Sequence, residues 1–195
     1  MNTTMQKRQA RWQAIREAQE KLKLDPVYID TETTGLKASD EVVEIAIVDH
    51  RGDTLFESLV KPTRPIPPDA AAIHGIRDAM VAGAPPWVEI WPQVEKAIAG
   101  REVAIYNADY DMRLMQQSHT AHGLPWRWSA KDPFCVMRLY ARFFGQWNAS
   151  RGNYRWVSLD DAGRQSGIDL PNTHRARDDA LLTRALLLHM AQSQP

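Results

Sequence analysis

The chain contains a single cysteine, Cys135, among its 195 residues. One cysteine excludes an internal disulfide and any zinc site built from several cysteines, and it is typical of proteins in a reducing compartment. No apolar run approaches the roughly 20 residues that cross a bilayer, and the amino terminus lacks the apolar segment of a secretory signal. We therefore expect a cytoplasmic protein without a membrane partner.

The sequence also lacks a net charge, because 24 basic residues balance 24 acidic ones. Along the chain the balance is uneven. Residues 1–24 carry six basic groups against Glu17 and Glu20, so this segment has a charge of +4 and the remainder a charge of −4. A chain of this length builds one hydrophobic core and is short for two. We predict a basic helical arm at 1–24 and a single domain at 25–195.

Apolar runs and turn residues predict an α/β fold. The predicted strands are 27–31, 42–49, 54–60, 102–106 and 132–136. The predicted helices are 68–73, 76–82, 87–99, 109–122, a segment ending near 144, 158–167 and 175–191. The first three strands form an antiparallel meander, and β-α-β units follow, which indicates a mixed five-stranded sheet flanked by helices.

Two carboxylates, Asp30 and Glu32, close the first predicted strand. Alternate side chains of a strand share a face, so these carboxylates point the same way and repel unless a proton or a cation lies between them. A turn at 33–35 follows at the carboxyl end of the strand, where open α/β sheets bind ligands. Such a triplet also occurs at solvated strand ends, but the buried strand before it favours a metal site.

Three further motifs carry polar residues that suit phosphodiester chemistry. They are Ile73 to Ile76 with His74, Tyr106 to Asp111, and His174 to Asp179. Together with the first strand, they supply four carboxylates and one histidine, namely Asp30, Glu32, Asp111, Asp179 and His174.

These four ordered elements resemble the DEDDh 3′-5′ exonucleases, a family that includes polymerase proofreading subunits and ribonuclease T. Residues 30–35 are similar to the first family motif, 106–111 to the second and 174–179 to the third. The resemblance covers about 25–192 and implies a ribonuclease H-like fold with an exonuclease domain at 25–195. Tyr106 stands where many relatives have histidine, and it is not a ligand position.

The resemblance implies hydrolysis of a terminal phosphodiester to release nucleoside 5′-monophosphates, with two Mg²⁺ or Mn²⁺ ions roughly 3.5–4 Å apart. Carboxylates suit these hard cations. We expect Asp30, Glu32 and Asp179 to hold the first ion, Asp30 to bridge to the second, and Asp111 to lie in the second ion's outer shell. His174 is expected to take the proton of the attacking water, because imidazole titrates near neutrality.

The same resemblance assigns residues to the substrate. Thr33, Leu36 and His74 are expected to hold the terminal nucleotide, with Asn107 and Tyr110 supporting the other side. The substrate is expected to be a nucleic acid with a free 3′ end.

The motifs at 106–111 and 174–179 each contain two aspartates, of which one is expected to face the site. On the helix at 109–122, Asp111 shares a stripe with Leu114 and Met115, which favours Asp111 over Asp109 as the inward residue. In the last helix, periodicity does not choose between Asp178 and Asp179. The family resemblance selects Asp179 and leaves Asp178 exposed in the first turns of the helix.

Residues 126–156 contain nine of the sixteen aromatic residues, interleaved with basic ones, as in surfaces that bind single strands. Four of these aromatics are expected to pack on the sheet instead: Phe134, Tyr140, Phe143 and Phe144. The segment 145–156 is predicted to be a mobile, exposed loop beside the site. Its candidate substrate contacts are Arg151, Tyr154, Arg155 and Trp156.

Residues 5–24 place Met5, Trp12, Ile15 and Leu22 at near-heptad spacing, which predicts an amphipathic helix. Such a helix most often docks on its own domain, but a polymerase, a second copy or duplex DNA remain alternative partners. The chain ends soon after its last predicted helix, which favours a stand-alone enzyme over a polymerase subunit.

Three functional hypotheses follow. The first is a 3′-5′ exonuclease acting on DNA with a single-stranded or frayed 3′ end. The second is a 3′-5′ exoribonuclease, since nothing in the sequence distinguishes the two sugars. The third, a non-catalytic module that binds a polymerase, is the weakest because such a module has no need of all five polar groups.

Overall fold

The centre of the fold is a mixed five-stranded sheet, seen in a computed structural model that describes residues 3–170 and 172–194. The strands are β1 (Val27–Thr33), β2 (Val42–Val48), β3 (Thr54–Leu59), β4 (Val103–Ile105) and β5 (Phe134–Cys135), in the order β3-β2-β1-β4-β5. β1, β2 and β3 pair antiparallel, whereas β4 and β5 extend the sheet in parallel from β1. The predicted fold class is confirmed.

Eight helices in the described residues flank this sheet. They are α1 (Thr3–Leu22), α2 (Pro68–His74), α3 (Asp78–Val81), α4 (Trp87–Ile98), α5 (Ala108–Ala121), α6 (Val136–Phe144), α7 (Leu159–Gln165) and α8 (Ala176–Gln192). The helix predicted at 76–82 begins later, because Gly75 ends α2 with a left-handed φ of 74° and Arg77 is extended. Across the described chain, no helix is both long enough and apolar enough to span a membrane.

The two faces of the sheet pack against different helices. On β1, Val27 and Ile29 belong to a core that contains residues of α4 and α5, whereas Tyr28 belongs to a core shared with α1, α6 and α8. The side chains alternate between the two faces because successive residues of a strand point to opposite sides of the sheet. Residues 30 and 32 therefore face α8, and Thr31 faces α5, which places polar groups on both sides of the strand end.

The helix predicted at the amino terminus is confirmed, and of its predicted apolar stripe Ile15 and Leu22 pack on the domain whereas Met5 and Trp12 do not. The buried residues of α1 are Ala10, Ala14, Ile15 and Ala18, which pack on α6 and α8. Met5 is 70% exposed and Trp12 is 43% exposed. Three small alanine side chains beside Ile15 let α1 approach its neighbours closely, and only Met5 and Trp12 of the near-heptad pattern remain outside.

The segment 145–156, predicted as an exposed loop, is largely exposed, and it contains a short β-hairpin that was not predicted from the sequence. β6 (Trp147–Asn148) pairs antiparallel with β7 (Asn153–Tyr154). The Asn148 side-chain oxygen accepts hydrogen bonds from the backbone N–H groups of Ser150 and Arg151, and Gly152 adopts a left-handed φ of 64°. These local bonds define the turn.

Candidate active site

The predicted polar residues meet in one open cleft of about 500 Å³ at the carboxyl end of β1. β1 and β4 run parallel, so both strands deliver the chain to the same edge of the sheet. The start of α8 closes the cleft opposite them. The residues that line it include all five from the sequence motifs: Asp30, Glu32, Asp111, His174 and Asp179.

Asp111 enters the cleft from the first turn of α5. It is 4% exposed, and its Oδ1 accepts hydrogen bonds from the Thr31 backbone N–H at 3.1 Å and the Thr31 hydroxyl at 2.7 Å. Asp109 instead points outward and forms an ion pair with Arg138. The prediction that Asp111 is the inward aspartate is confirmed, and Thr31 is the residue that orients it.

The segment 172–179 brings the histidine and the last carboxylate to the cleft. Asp179 is 5% exposed on the inner face of α8, whereas Asp178 points away and accepts a hydrogen bond from the Thr173 hydroxyl at 2.8 Å. His174 is exposed and has a left-handed φ of 52°. One ligand atom from each of Glu32, His174 and Asp179 lies within 4.8 Å of the others.

Burial and mutual repulsion make these carboxyls hard to ionise. Burial raises the pKa of Asp30 well above its ordinary value, and the charges of Asp111 and Asp179 add to the shift. Burial, with Asp179 and Glu44 nearby, raises the pKa of Glu32 to about 8. A site that concentrates negative charge in this way is stabilised by protons or by cations.

The donor set fits divalent cations. Asp179 Oδ1 is buried without a hydrogen-bond partner in the described structure, although a buried polar atom normally has one. Asp30, Glu32 and Asp111 add hard oxygen donors around it, and oxygen donors are what Mg²⁺ and Mn²⁺ prefer. An unpartnered oxygen among crowded carboxylates is therefore explained by a cation ligand.

A fifth carboxylate, Glu44, supports the site and was missed in the sequence. It lies on β2 directly opposite Glu32, is 2% exposed, and accepts hydrogen bonds from Arg175 Nε at 3.1 Å and from the Ala176 backbone N–H at 2.9 Å. Arg175 Nη2 also forms an ion pair with it. Glu44 thus holds Arg175 and Ala176, the N-cap and the first residue of α8, which follow His174 in the chain. A glutamate inside an apolar strand was the available signal, since buried charges need partners.

Residues predicted to contact substrate surround the turn after β1. The Thr33 hydroxyl lies 2.6 Å from the Tyr110 hydroxyl, which also donates to the Gly35 carbonyl at 3.2 Å. Tyr110 therefore holds this turn in place. Leu36 is 75% exposed beside it, and Asn107 lines the cleft at the start of α5 with a left-handed φ of 78°.

His74 differs from the expectation that it holds the terminal nucleotide directly. It is 5% exposed, and its Nδ1 accepts from the Ile76 backbone N–H at 3.0 Å. Its Nε2 therefore carries the proton and donates to the Thr33 carbonyl at 3.2 Å. Because both ring nitrogens are engaged within the protein, His74 positions the turn at Thr33 instead of offering a free donor.

A ribonuclease H-like sheet with converging carboxylates at the end of its first strand defines the class of metal-dependent nucleases. The chain belongs to the RNase T family of exonucleases, whose sequence model matches residues 27–187. It is an enzyme of the 3′-5′ exonuclease class.

Three exonuclease-related proteins are similar to this chain over most of its length. An uncharacterised exonuclease of Escherichia phage 186 is 37% identical, over 98% of this chain and 96% of the relative. The DNA polymerase III subunit epsilon of Treponema pallidum is 31% identical, over 83% of this chain and 74% of the relative. A structure of exonuclease X in complex with 5′-overhanging duplex DNA is 31% identical, with a TM-score of 0.63, over 84% of this chain and 89% of that one.

We expect the metal-free protein to lose thermal stability as pH rises from about 6 to about 8. A carboxyl whose pKa is raised by folding stabilises the fold when protonated, and this contribution is lost as pH rises through the folded pKa. For Glu32 this loss of stability is spread over the pH range from 4.5, the ordinary pKa of the group, to about 8, its pKa in the folded protein. Thermal unfolding in EDTA should show a fall in Tm of roughly 3–6 °C. For a chain of this size, a loss of 1 kcal/mol in the free energy of unfolding lowers Tm by about 2–4 °C.

Two variants check the origin of this pH dependence. Glu32→Gln removes one titrating group and should flatten the slope, whereas Glu57→Gln, an exposed glutamate on β3, should leave it unchanged. A metal-free Tm that rises over the same pH interval would contradict the raised pKa values.

Proposed function

We propose that this protein removes nucleotides one at a time from the 3′ end of DNA, using two divalent ions and releasing nucleoside 5′-monophosphates. The observation that carries the proposal is the convergence of four carboxylates on one cleft, two of them buried (Asp111 and Asp179), with Asp179 Oδ1 unpartnered within the described residues. The DNA complex of exonuclease X supports DNA as the substrate, since that relative is 31% identical.

In this mechanism Asp30, Glu32 and Asp179 would hold a first divalent ion, and Asp30 and Asp111 would hold a second. Bound divalent ions stabilise the charge that develops on the attacking and leaving oxygens of a phosphoryl displacement. Thr31 keeps Asp111 oriented through two hydrogen bonds, so this carboxylate does not need to rotate when a cation enters.

His174 accepts the proton of the attacking water. Its imidazole is exposed at the cleft and lies beside Glu32 and Asp179, so a water near those carboxylates is within its reach. The left-handed backbone at His174 is a conformation that non-glycine residues adopt rarely, and such conformations often occur at functional sites.

The terminal nucleotide lies against the turn after β1. Leu36 offers an exposed apolar face to a base, and Asn107 offers a side-chain amide that makes no hydrogen bond within the described residues. Thr33, Tyr110 and His74 act behind them by fixing the turn.

The test is digestion of single-stranded DNA, duplex DNA and RNA of one sequence, each with Mg²⁺ or with EDTA. We expect mononucleotides from single-stranded DNA in Mg²⁺ and no product in EDTA. A 3′-phosphate should block digestion, and a 5′-phosphate should not. Release of oligonucleotides from a circular single strand would show an endonuclease, and preferential digestion of RNA would move the protein to the exoribonuclease alternative.

The contact between Glu44 and Arg175 gives a separate prediction. Glu44→Gln should lower kcat and apparent Mg²⁺ affinity by roughly 10–100-fold, the effect usual for an outer-shell partner of a metal ligand. The physical reason is that Glu44 holds the start of α8, which carries Asp179 and follows directly on the segment with His174. Steady-state kinetics at several Mg²⁺ concentrations measure both effects. The control is Glu57→Gln, and equal kinetics in the two variants would contradict the role of Glu44.

A further inference from the structure

A second open groove lies between α1 and the hairpin formed by β6 and β7. Its volume is about 790 Å³, and its lining shares no residue with the catalytic cleft. The helix contributes Gln6, Lys7 and Gln13, and the other wall is formed by Gly145, Trp147 and Tyr154.

The groove offers an aromatic surface beside amide groups. Trp147 is 54% exposed and meets Tyr154 edge to face, with ring centroids 5.1 Å apart. Tryptophan and tyrosine faces stack on nucleobases of any sequence, and the glutamine side chains beside them both donate and accept hydrogen bonds. An exposed tryptophan held edge to face by a second aromatic side chain keeps its own ring face open to a ligand.

The charges around the groove suit a polyanion. No acidic residue lines the groove. In the described chain, the nearby acidic residues of α1 are paired, Glu17 with Arg142 and Glu20 with Lys23. By contrast, the described structure gives no ion pair to four basic residues of α1 and the hairpin segment: Lys7, Arg8, Arg151 and Arg155. These charges complement phosphates.

The groove is joined to the catalytic cleft by a short stretch of chain. Tyr154 lines the groove, and Ser158 lines the cleft, so the two sites are separated by at most about 14 Å along this segment, which has four peptide steps. The Tyr106 hydroxyl anchors the segment by donating to the Val157 carbonyl at 2.9 Å. Trp156, 54% exposed, lies between the two sites.

We propose that this groove binds the single-stranded portion of the substrate a few nucleotides away from the 3′ end, by stacking bases on Trp147 and Tyr154 and pairing phosphates with the basic residues of α1. The inference rests on the proposed function, because it concerns the same nucleic-acid substrate. It assigns α1 and the hairpin a role in holding the strand, while the cleft carries out the chemistry.

Substrate length tests the proposal. The double variant Trp147→Ala and Tyr154→Ala should raise KM by roughly 10–100-fold on a strand of about 30 nucleotides, in line with the loss of stacking for one or two bases. On a dinucleotide, whose single phosphodiester lies in the catalytic cleft, kcat and KM should stay unchanged. The control is Trp12→Ala, because Trp12 is an exposed tryptophan on α1 that does not line the groove.

A binding measurement separates this inference from the proposed function. Fluorescence anisotropy of a labelled strand in EDTA, where no hydrolysis occurs, should show weaker binding in the double variant. Lys7→Ala should reduce the slope of log Kd against the logarithm of salt concentration, by about the amount that corresponds to one phosphate contact. If the wild type binds the strand but hydrolyses nothing, the proposed exonuclease function is wrong, whereas the assignment of the groove as a strand-binding site still holds. Equal effects on long and short substrates, or unchanged binding in the double variant, would overturn the groove assignment.

Discussion

Asp179→Asn is expected to abolish hydrolysis while the protein stays folded. The substitution removes an ionised ligand from the cleft, and the loss should exceed about 10³-fold, beyond the 10–100-fold typical of outer-shell partners. The fold should survive because one fewer carboxylate repels Asp30 and Glu32. Activity on single-stranded DNA in Mg²⁺ and thermal unfolding in EDTA measure the two effects.

The neighbouring residue provides a matched control. Asp178→Asn removes the same charge one position earlier, on the outer side of α8, where the Thr173 hydroxyl is its partner. We expect nearly normal turnover in this variant. Near-normal turnover in Asp179→Asn, or equal losses in both variants, would contradict the assignment of Asp179.

His174→Ala is expected to lower kcat by roughly 10²–10⁴-fold with little change in KM, because proton transfer contributes in the transition state and not in substrate binding. At saturating Mg²⁺, the variant should lose the part of the pH dependence of kcat that comes from proton transfer to His174. pH profiles of kcat and kcat/KM for the two proteins measure the effect.

An alternative role for His174 is to hold a cation, since its ring lies with Glu32 and Asp179 within 4.8 Å. In that case metal affinity would fall together with the rate. Repeating the kinetics over a range of Mg²⁺ concentrations separates the two roles. Restoration of the His174→Ala variant by high Mg²⁺ would mean that the residue binds or positions the metal and is not the base.

Short-range patterns were enough to predict the sheet and the inward carboxylates. The alternation on β1 places residues 30 and 32 on one face, and the helical period places Asp111 with Leu114 and Met115. Both predictions depend on residues close in sequence, so backbone geometry alone determines them. Periodicity left Asp178 and Asp179 open, since α8 is apolar almost all round, and the structure places Asp179 inside.

Long-range pairings were beyond the sequence. Glu44 and Arg175 are 131 positions apart, and no local pattern indicates that they meet. His119, in the last turn of α5, is buried and accepts a hydrogen bond from Trp87 Nε1 at 3.0 Å, although the two residues are 32 positions apart. Burial lowers the pKa of His119, so its surroundings favour the neutral ring. Such contacts depend on how elements pack together.

The hairpin at 147–154 and the packed face of α1 were not predicted from the sequence, for a different reason. Trp147 and Asn148 form a strand of only two residues, which is too short for an alternating pattern to stand out. On α1, hydrophobic spacing selected Met5 and Trp12, which are exposed, and it missed the three alanines that pack beside Ile15 against α6 and α8. Side-chain size decides which face of a helix can approach its neighbours, and hydrophobicity alone does not report it.

The most direct test of the central claim is calorimetric titration of the metal-free protein with Mn²⁺ near neutral pH, in two buffers of different ionisation enthalpy. The raised pKa values of Asp30 and Glu32 mean that cations must displace protons from the cleft. The wild type should therefore bind Mn²⁺ with net proton release, and Asp179→Asn should lose this binding. Binding without proton release, or with equal affinity in the variant, would contradict a metal site built on these carboxylates.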